Sequence, residues 1–446
     1  MTTVATDVQP SVFSEYERPE RKRGARLMLV ESNFGCVPEA VQSNLLAAFA
    51  IRLGASTFQV GILSAVVNMF IAASLMFAAR LVGLMGGRKR MLLATMAVGA
   101  LPWVFISLVP LLPEGARVWA LIPIGGVAVA LFVVADPVWG SWMSDLVPVH
   151  RRGRYLGLRM SMVSVTTMAV GLCGAFVLDL LHDAVLWGFV AAFSVAAAAR
   201  LVSLAFYWRI VDPRPELKLQ PGPMPWKMFY GLRSSLLGRY NIFLLWYHIG
   251  IGFGTPFFSV YLLRDLDLKY TVFVALNMVQ FVTMALTLPW WGKVCDRRGN
   301  MFVLVVTGIT NGLWPLVHLV SPNLWYLTTA YAIVGAVTAG WAIVLYNFVL
   351  EHSEEGARPS AVGYARSMMA AGLFIGAIIG GVIASRVPGI FGYSLLTMFA
   401  VSAVIRTASV FAVLQFVRGT SGRSFRASLV DLFRAAPAKP ARQKTE

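Results

Sequence analysis

Charged side chains are scarce in this sequence. Asp, Glu, Lys and Arg make up 13% of its 446 residues, whereas hydrophobic residues make up 58%. A soluble domain needs a charged surface, so this composition excludes an ordinary soluble protein. The three cysteines show no disulfide or zinc spacing, and the sequence has no Walker loop, no His-Glu-x-x-His and no Cys-x-x-Cys. We therefore expect no metal site, no cofactor and no enzymatic activity.

The hydrophobic residues are concentrated in long segments. Crossing a bilayer of about 30 Å takes roughly 20 apolar helical residues, because lipid offers no partner to unpaired backbone groups. The segments that reach this length are 27–51, 58–81, 91–112, 118–143, 155–181, 184–207, 240–263, 270–291, 301–320, 324–350, 361–385 and 390–417. They predict an all-α integral membrane protein with 12 transmembrane helices. The first 26 residues lack the apolar core of a signal peptide, so we expect helix 1 to be retained.

Acidic residues are few as well. The sequence has 21 Asp and Glu against 38 Lys and Arg, a net charge of +17. This excess does not indicate nucleic-acid binding, because one set of loops and the two termini hold 28 of the basic residues and the other loops hold five. By the positive-inside rule both termini lie in the cytoplasm. We expect a multi-pass monomer in the cytoplasmic membrane, with the lipid bilayer around it.

The second half of the chain repeats features of the first. Arg200 and Ser203 recur 206 positions later as Arg406 and Ser409, which predicts two pseudo-symmetric six-helix bundles. The expected segments are a cytoplasmic N-terminal segment (1–26), a first bundle (27–210), a cytoplasmic linker (211–236), a second bundle (237–417) and a basic cytoplasmic tail (418–446). A substrate contact should differ between the halves. We therefore expect Arg200 and Arg406 to have matching structural roles, each paired with a carboxylate or a helix end.

One loop on the basic side carries a specific motif. Gly292-Lys-Val-Cys-Asp296-Arg297-Arg298-Gly299 resembles the Gly-x-x-x-Asp-Arg-x-Gly loop that members of the major facilitator superfamily carry after the second helix of each half. The resemblance implies two bundles with a solute path between them, lined mainly by helices 1, 4, 7 and 10. It also implies that these cytoplasmic loops form a gate.

The corresponding loop of the first half departs from the motif. Loop 2–3, with Gly83 and Arg88, keeps the glycines and basic residues but has no Asp. Either Gly87 replaces the Asp or the loop is shortened. Loop 4–5, with Asp145 and Arg151, also resembles the superfamily, and Asp145 is a candidate partner for Arg88. Helix 5 has no proline where drug–proton antiporters of the superfamily carry Gly-Pro-x-x-Gly-Gly, which disfavours antiport.

Helix 1 carries a polar stripe. Glu31, Gly35, Glu39 and Gln42 fall on one face of an otherwise apolar helix, so that face should line a wet cavity. Glu39 follows Pro38 at the centre of the span, where a carboxylate with little water around it can bind and release protons. We expect a coupling or substrate role for Glu39, although it could instead brace helix 1. Glu31 is equally suited to a gate salt bridge with the nearby basic residues.

Two further residues could carry transport. Asp136 lies inside helix 4 and precedes Pro137, and a buried acid beside a broken helix suits an ion site or, alternatively, a packing hydrogen bond. His248 in helix 7 could titrate near neutrality. Candidates for the cavity lining are Gly35, Tyr247, Tyr331, Thr338 and Asn347.

These residues together indicate transport of a small solute. We expect a secondary active transporter that works by alternating access and is coupled to protons through Glu39, with Asp136 as partner or alternative. An uncoupled facilitator is one alternative. Another is a membrane scaffold or receptor that retains the transporter fold.

Overall fold

The computed structural model describes residues 19–213, 235–353, 358–384, 386–391 and 393–418. Most of the predicted linker and basic tail lies outside these residues, as do the first 18 residues. Within the described part of the chain, twelve helices are long and apolar enough to cross a bilayer. The predicted number of spans is therefore confirmed.

Five of the twelve helices are interrupted, and their segments are labelled a and b. The first half contains α1a (Pro19–Gly35), α1b (Val37–Arg52), α2 (Thr57–Leu84), α3a (Arg88–Gly99), α3b (Leu101–Leu108), α4a (Glu114–Val133), α4b (Asp136–Leu146), α5 (Val149–Leu180) and α6 (Val185–Arg209). The second half contains α7a (Leu236–Gly254), α7b (Pro256–Val260), α8 (Tyr270–Arg298), α9a (Asn300–Leu313), α9b (Val317–Val320), α10 (Leu324–Glu351), α11 (Arg358–Ala384) and α12 (Ser394–Arg418).

Several helices are longer than the apolar segments that predicted them. Helix α1a begins at Pro19 rather than at 27, and α5 begins at Val149 rather than at 155. A helix satisfies its own backbone groups and can continue through polar residues into water, whereas hydropathy marks only the part in lipid.

Proline accompanies all five interruptions, with Pro102 after the break in α3 and Pro315 within the break in α9. Pro38 follows the break in α1, Pro137 follows the break in α4 and Pro256 follows the break in α7. Proline has no backbone N–H to donate and its ring crowds the preceding turn, so a helix bends or stops there. Each break exposes backbone groups in the middle of a span, where other parts of the protein can use them.

Glycine allows α11 to lie directly on α7a. Gly372, Gly376 and Gly380 form a stripe, and a Cβ added to any of them would collide with the backbone of α7a. On Gly376 the collision would be with the carbonyl oxygen of Ile249. The two helices therefore pack backbone against backbone, as small-residue stripes allow in membranes.

The two halves contact each other along two helix pairs. Helix α2 packs on α11, and α5 packs on α8. A Cβ added to Gly61 of α2 would lie 2.9 Å from the Cα of Gly381 in α11, so these helices almost touch. The remaining large helix contacts join helices of the same half, in agreement with two six-helix bundles.

The hydrophobic core is shared at one end of the molecule and divided at the other. We call the end where α2 meets α3, α4 meets α5 and α8 meets α9 the basic end, and the other end the opposite end. One buried cluster contains residues of both halves, such as Phe49 and Phe257 near the opposite end. Toward the basic end, Trp142 belongs to a cluster formed by the first half alone and Tyr240 to one formed by the second half alone. The halves are thus joined at the opposite end and part toward the basic end.

Candidate functional site

Six charged side chains line a cavity of about 510 Å³, here called the charged chamber. Its acids are Glu31, Glu39 and Asp136, and its bases are Arg159, Arg200 and Arg366. Gly35 and Gln42 line it as well. The structure therefore brings together the polar stripe of helix 1 and the acid of helix 4. The acids and bases balance in number, so the fully ionised chamber carries no net charge.

Glu39 and Asp136 occupy equivalent positions in their helices. Glu39 lies in the first turn of α1b and Asp136 in the first turn of α4b, each just after a break. Free N–H groups and the positive end of the helix dipole favour an acid at such a position. Both side chains are exposed to the chamber rather than packed in protein. They are therefore open to protons or solutes that enter from the basic end.

One ion pair crosses the chamber from half to half. Arg366 Nη1 of α11 lies 3.4 Å from Asp136 Oδ2 of α4b. The two side chains are 40% and 51% exposed, so solvent screens the pair. The pair can break at little cost when the halves move.

Glu31 lies deeper and is almost fully buried. It accepts a hydrogen bond from the Ser203 hydroxyl of α6. Arg200, one turn away on α6, is close enough to attract the carboxylate. Its Nη1 also donates to the sulfur of Met96 at 3.2 Å. Glu31 therefore ties α1a to α6 within the first half.

Arg159 of α5 is a chamber residue that the sequence analysis did not single out. Its Nε donates to the Ser32 hydroxyl at 2.9 Å, and its guanidinium carbon lies 3.8 Å from the centre of the Trp139 ring. Arg366 was missed in the same way. Both are arginines inside apolar spans, which was the available signal.

A second cavity of about 600 Å³, here called the central cavity, lies between the halves and continues the path. Gln42 and Ser43 line both cavities. The predicted lining residues Tyr247, Tyr331 and Thr338 lie in its wall. Its other polar and aromatic residues include Asn277, Gln280, Asn311, Trp314, Trp341 and Arg406.

The wall of the central cavity is held by hydrogen bonds and ring contacts. Thr338 Oγ1 donates to Asn311 Oδ1 at 2.8 Å, and the Tyr247 hydroxyl donates to the Gly308 carbonyl at 3.0 Å. The ring centres of Tyr247 and Trp341 lie 4.4 Å apart. The cavity therefore presents a preformed surface of amides, hydroxyls and ring faces.

Arg200 and Arg406 have different surroundings. Arg406 lies at the break in α7, where its Nη2 donates to Thr255 Oγ1 at 2.9 Å and to the Ile251 carbonyl at 3.4 Å. It lines the central cavity, where none of the described lining residues is acidic. Arg200 lines the charged chamber beside Glu31. One arginine thus contacts a helix end and the other faces a carboxylate.

Two predicted candidates lie away from both cavities. His248 is buried against α11, where its Cβ is 2.9 Å from a Cβ placed on Gly372, and its Nδ1 lies 2.7 Å from the Leu244 carbonyl. Asn347 donates to Asn300 Oδ1 at 3.3 Å, near the basic end of α10. Neither side chain is in a position to touch a solute in this conformation.

Arg88 forms a buried network at the basic end. Its Nη1 lies 2.6 Å from Asp145 Oδ2, so the expected ion pair is present. Its Nη2 lies 2.6 Å from Oδ1 of Asp212, which follows α6 and was not foreseen. Lys89 Nζ donates to the Ile210 carbonyl at 2.7 Å and holds this segment in place. Asp212 and Asp145 thus supply the carboxylates that loop 2–3 lacks.

Glycine shapes loop 2–3. Gly86 and Gly87 have φ of 69° and 144°, values that L residues with a side chain rarely adopt. An Asp at 87 would be strained, which gives a physical reason for its absence. Gly83 lies in the last turn of α2.

The motif residues of loop 8–9 are arranged more simply. Gly292, Asp296 and Arg297 lie in the last turns of α8, and Gly299 ends the helix with φ of 83°. Asp296 and Arg297 are exposed, as is Arg151 at the start of α5. Among the residues that the structure describes, no group of three or more His, Cys, Asp or Glu could hold a metal ion.

Comparisons with known proteins identify the family and the fold. A family model described as Major Facilitator Superfamily matches residues 36–276 and 247–436. Multidrug resistance protein MdtG of Proteus mirabilis (strain HI4320) is 24% identical over 189 residues, which cover 40% of this chain. The chain spans about 45% of the length of that relative.

Solved structures show the same fold. A nucleoside transporter matches with a TM-score of 0.71 and 12% identity over 88% of this chain and 99% of that one. A D-xylose–proton symporter matches with a TM-score of 0.67 and 12% identity over 91% of this chain and 98% of that one. The predicted fold class is therefore confirmed.

Proposed function

Because this chain belongs to the Major Facilitator Superfamily, we propose that it carries a small solute across the cytoplasmic membrane and couples this movement to protons through Glu39. The observation that carries the proposal is the position of Glu39. Its carboxylate is exposed to a chamber inside the membrane-spanning bundle, in the first turn of a broken helix. An ionisable group retained at such a place indicates an ion pathway.

Alternating access accounts for the way in which the halves are joined. They share a core at the opposite end and have separate cores at the basic end. With the basic end in the cytoplasm, as the distribution of Lys and Arg favours, this conformation faces inward. Rocking the halves would close the basic end and open the other.

Proton coupling follows from the balance of charges in the chamber. Glu39 shares the chamber with Asp136 and with three arginines, so adding a proton to one acid changes the net charge by one unit. That change alters the attraction of Asp136 for Arg366, which joins the halves. Protonation and the position of the halves are thereby linked.

The substrate could belong to several classes of solute, because the similar proteins are named for different solutes. Their names include a multidrug resistance protein, a nucleoside transporter and a D-xylose–proton symporter. A library with nucleosides, pentoses, organic acids and antibiotics, screened for thermal stabilisation of the purified protein, identifies the solute to use in transport assays.

The decisive experiment replaces Glu39 by Gln in proteoliposomes. A gradient of about two pH units supplies about 2.7 kcal/mol per proton, enough for about a hundredfold solute gradient. We expect Glu39→Gln to abolish this accumulation while solute counterflow persists. Glu114→Gln is the matched control, because Glu114 is 90% exposed at the opposite end. Full gradient-driven accumulation by Glu39→Gln would exclude the coupling role.

The same assay separates the alternative functions. An uncoupled facilitator would equilibrate the solute and ignore uncouplers. A scaffold would transport nothing, and a cysteine placed at Ser43, which lines both cavities, would not change its accessibility from side to side. Position 43 suits this test better than 35, where a Cβ would lie 2.6 Å from Glu31 Oε1.

A further inference from the structure

Arg406 is a buried cation with incomplete pairing. The residue is 4% exposed and lies in the wall of the central cavity. Its Nη2 donates to Thr255 Oγ1 and to the Ile251 carbonyl, at the carboxyl-terminal end of α7a. Its Nε has no hydrogen-bond partner within the described residues. The helix end therefore satisfies one edge of the guanidinium and leaves donor capacity unused.

No acid compensates the charge of Arg406. The described lining of the central cavity contains no Asp or Glu, and the ionisable groups close enough to act on Arg406 are the Tyr247 hydroxyl and the imidazoles of His248 and His318, none of which is a carboxylate. Burying a charge without a counterion costs several kcal/mol. An anionic ligand in the cavity would supply the counterion that Arg406 lacks and would offset this cost.

The other lining residues of the central cavity indicate the size and polarity of the rest of that ligand. The aromatic rings of Trp314 and Trp341 border the cavity, and the amides of Asn277 and Gln280 offer neutral hydrogen bonds. A volume of about 600 Å³ admits a ligand of the size of a small drug. The positive potential of Arg406 repels cations.

We propose that the central cavity binds organic anions that have a flat aromatic body and an acid group directed at Arg406. The proposal rests on the solute path described above, whose central part it assigns to a substrate class. In this assignment the first half handles protons in the charged chamber, and the second half recognises the solute.

The test uses three probes with the same ring system. 2-Naphthoate is the anion, 2-naphthamide the neutral isostere and 2-naphthylmethylammonium the cation. Binding to the purified full-length protein in nanodiscs is measured by calorimetry. We expect 2-naphthoate to bind about ten- to hundredfold more tightly than 2-naphthamide, as for a hydrogen bond to a charged group. We expect no binding of the cation.

Variants then assign the preference to one side chain. Arg406→Gln should bind the anion and the amide equally, and Arg406→Lys should keep part of the preference, because it keeps the charge but not the planar fork. Arg386→Gln, which removes an exposed charge outside the cavity, is the control and should bind as the wild type does.

The wild-type comparison needs no variant and decides the matter even if Arg406→Gln does not fold. Equal binding of anion and amide, binding of the cation, or binding of none of the three probes overturns the proposal. So does an undiminished anion preference in folded Arg406→Gln. Equilibrium binding requires no transport, so failure of the coupling role of Glu39 would leave this result standing, and the reverse holds as well.

Discussion

The two repeated arginines are placed alike and used differently. Arg200 and Arg406 both lie on the sixth helix of their half and both reach toward the first helix of that half. In the first half the arginine meets Glu31, whereas in the second half it meets a hydroxyl and a carbonyl. The duplication kept the cation and its position, and the neighbouring residues diverged. Two residues at equivalent positions of a repeat can therefore have different functions.

The same contrast holds at the basic end. Loop 2–3 in the first half has a fully buried arginine between two carboxylates, whereas the Asp296 and Arg297 side chains of loop 8–9 are exposed. Buried charges concentrate in the first half. We expect substitutions of charge to be far more damaging there than at the matching places in the second half.

The largest effect should come from Arg88→Gln. It removes the buried cation that lies between Asp145 and Asp212, which costs about 3–5 kcal/mol of unfolding free energy. Arg297→Gln, the matched change in the second half, should stay within about 0.5 kcal/mol of the wild type. Thermal unfolding of the detergent-purified variants measures both. Equal destabilisation by the two changes would contradict the expectation that charge substitutions are more damaging in the first half.

The next effect separates the repeated arginines themselves. Arg200→Gln removes the stronger of the two cations that attract buried Glu31, the other being Arg159, and should destabilise the protein by about 3 kcal/mol. Arg406→Gln loses hydrogen bonds but also removes an uncompensated charge, so without ligand it should change stability by no more than about 1 kcal/mol.

A double variant provides the control for this pair. Glu31→Gln combined with Arg200→Gln removes both charges and should recover at least about 1 kcal/mol of the loss. Additive losses in the double variant would mean that Glu31 and Arg200 do not support each other.

A smaller effect is expected for Asp179, an acidic residue of the first half that is hydrogen-bonded to the second half. Asp179, at the end of α5, accepts hydrogen bonds from the backbone N–H groups of Tyr270 and Thr271 at 2.9 and 2.8 Å, at the start of α8. Asp179→Ala should shift the balance of conformations by about 1–2 kcal/mol toward opening at the opposite end.

Spin labels can follow this opening. Leu111 and Trp325 are exposed at the opposite end, one in each half, and carry the labels after the native cysteines are replaced. The distance distribution should gain a longer component in Asp179→Ala and about half as much of it in Asp179→Asn, which keeps one acceptor oxygen. An unchanged distribution in both variants would show that this cap does not hold the halves together.

The smallest effect should be that of Arg366→Gln. Its partner Asp136 and Arg366 itself are both about half exposed, so the ion pair contributes less than about 1 kcal/mol. The change in melting temperature should be small and should vanish in high salt, which screens the wild-type pair. A loss as large as that in Arg200→Gln would contradict the view that strong charge pairing is confined to the first half.

The sequence predicted what depends on local pattern. The apolar segments identified all twelve spans, and the proline at 137 correctly indicated a break beside Asp136. These features follow from lipid solvation and from the missing N–H of proline, both of which can be seen along the chain.

Long-range partners could not be predicted in this way. Asp212 is 124 residues from Arg88, and no spacing along one helix connects them. His248 lies toward α11 because the glycine stripe of that helix admits α7a so closely, and the rotation of α7a follows from packing rather than from its own sequence. The placement of Arg159 and Arg366 in one chamber likewise depends on how the bundles dock.

The crossing of Gly61 and Gly381 has a consequence for how the molecule turns. Where two helices meet without side chains, no ridges interlock, so one can swivel on the other while keeping contact. The crossing lies toward the opposite end, and a small angular change there becomes a displacement of many ångströms at the far ends of α2 and α11. The crossing can therefore serve as a pivot point for the motion of the two halves. Adding a single methyl group at Gly61 would push the two helices apart at this pivot.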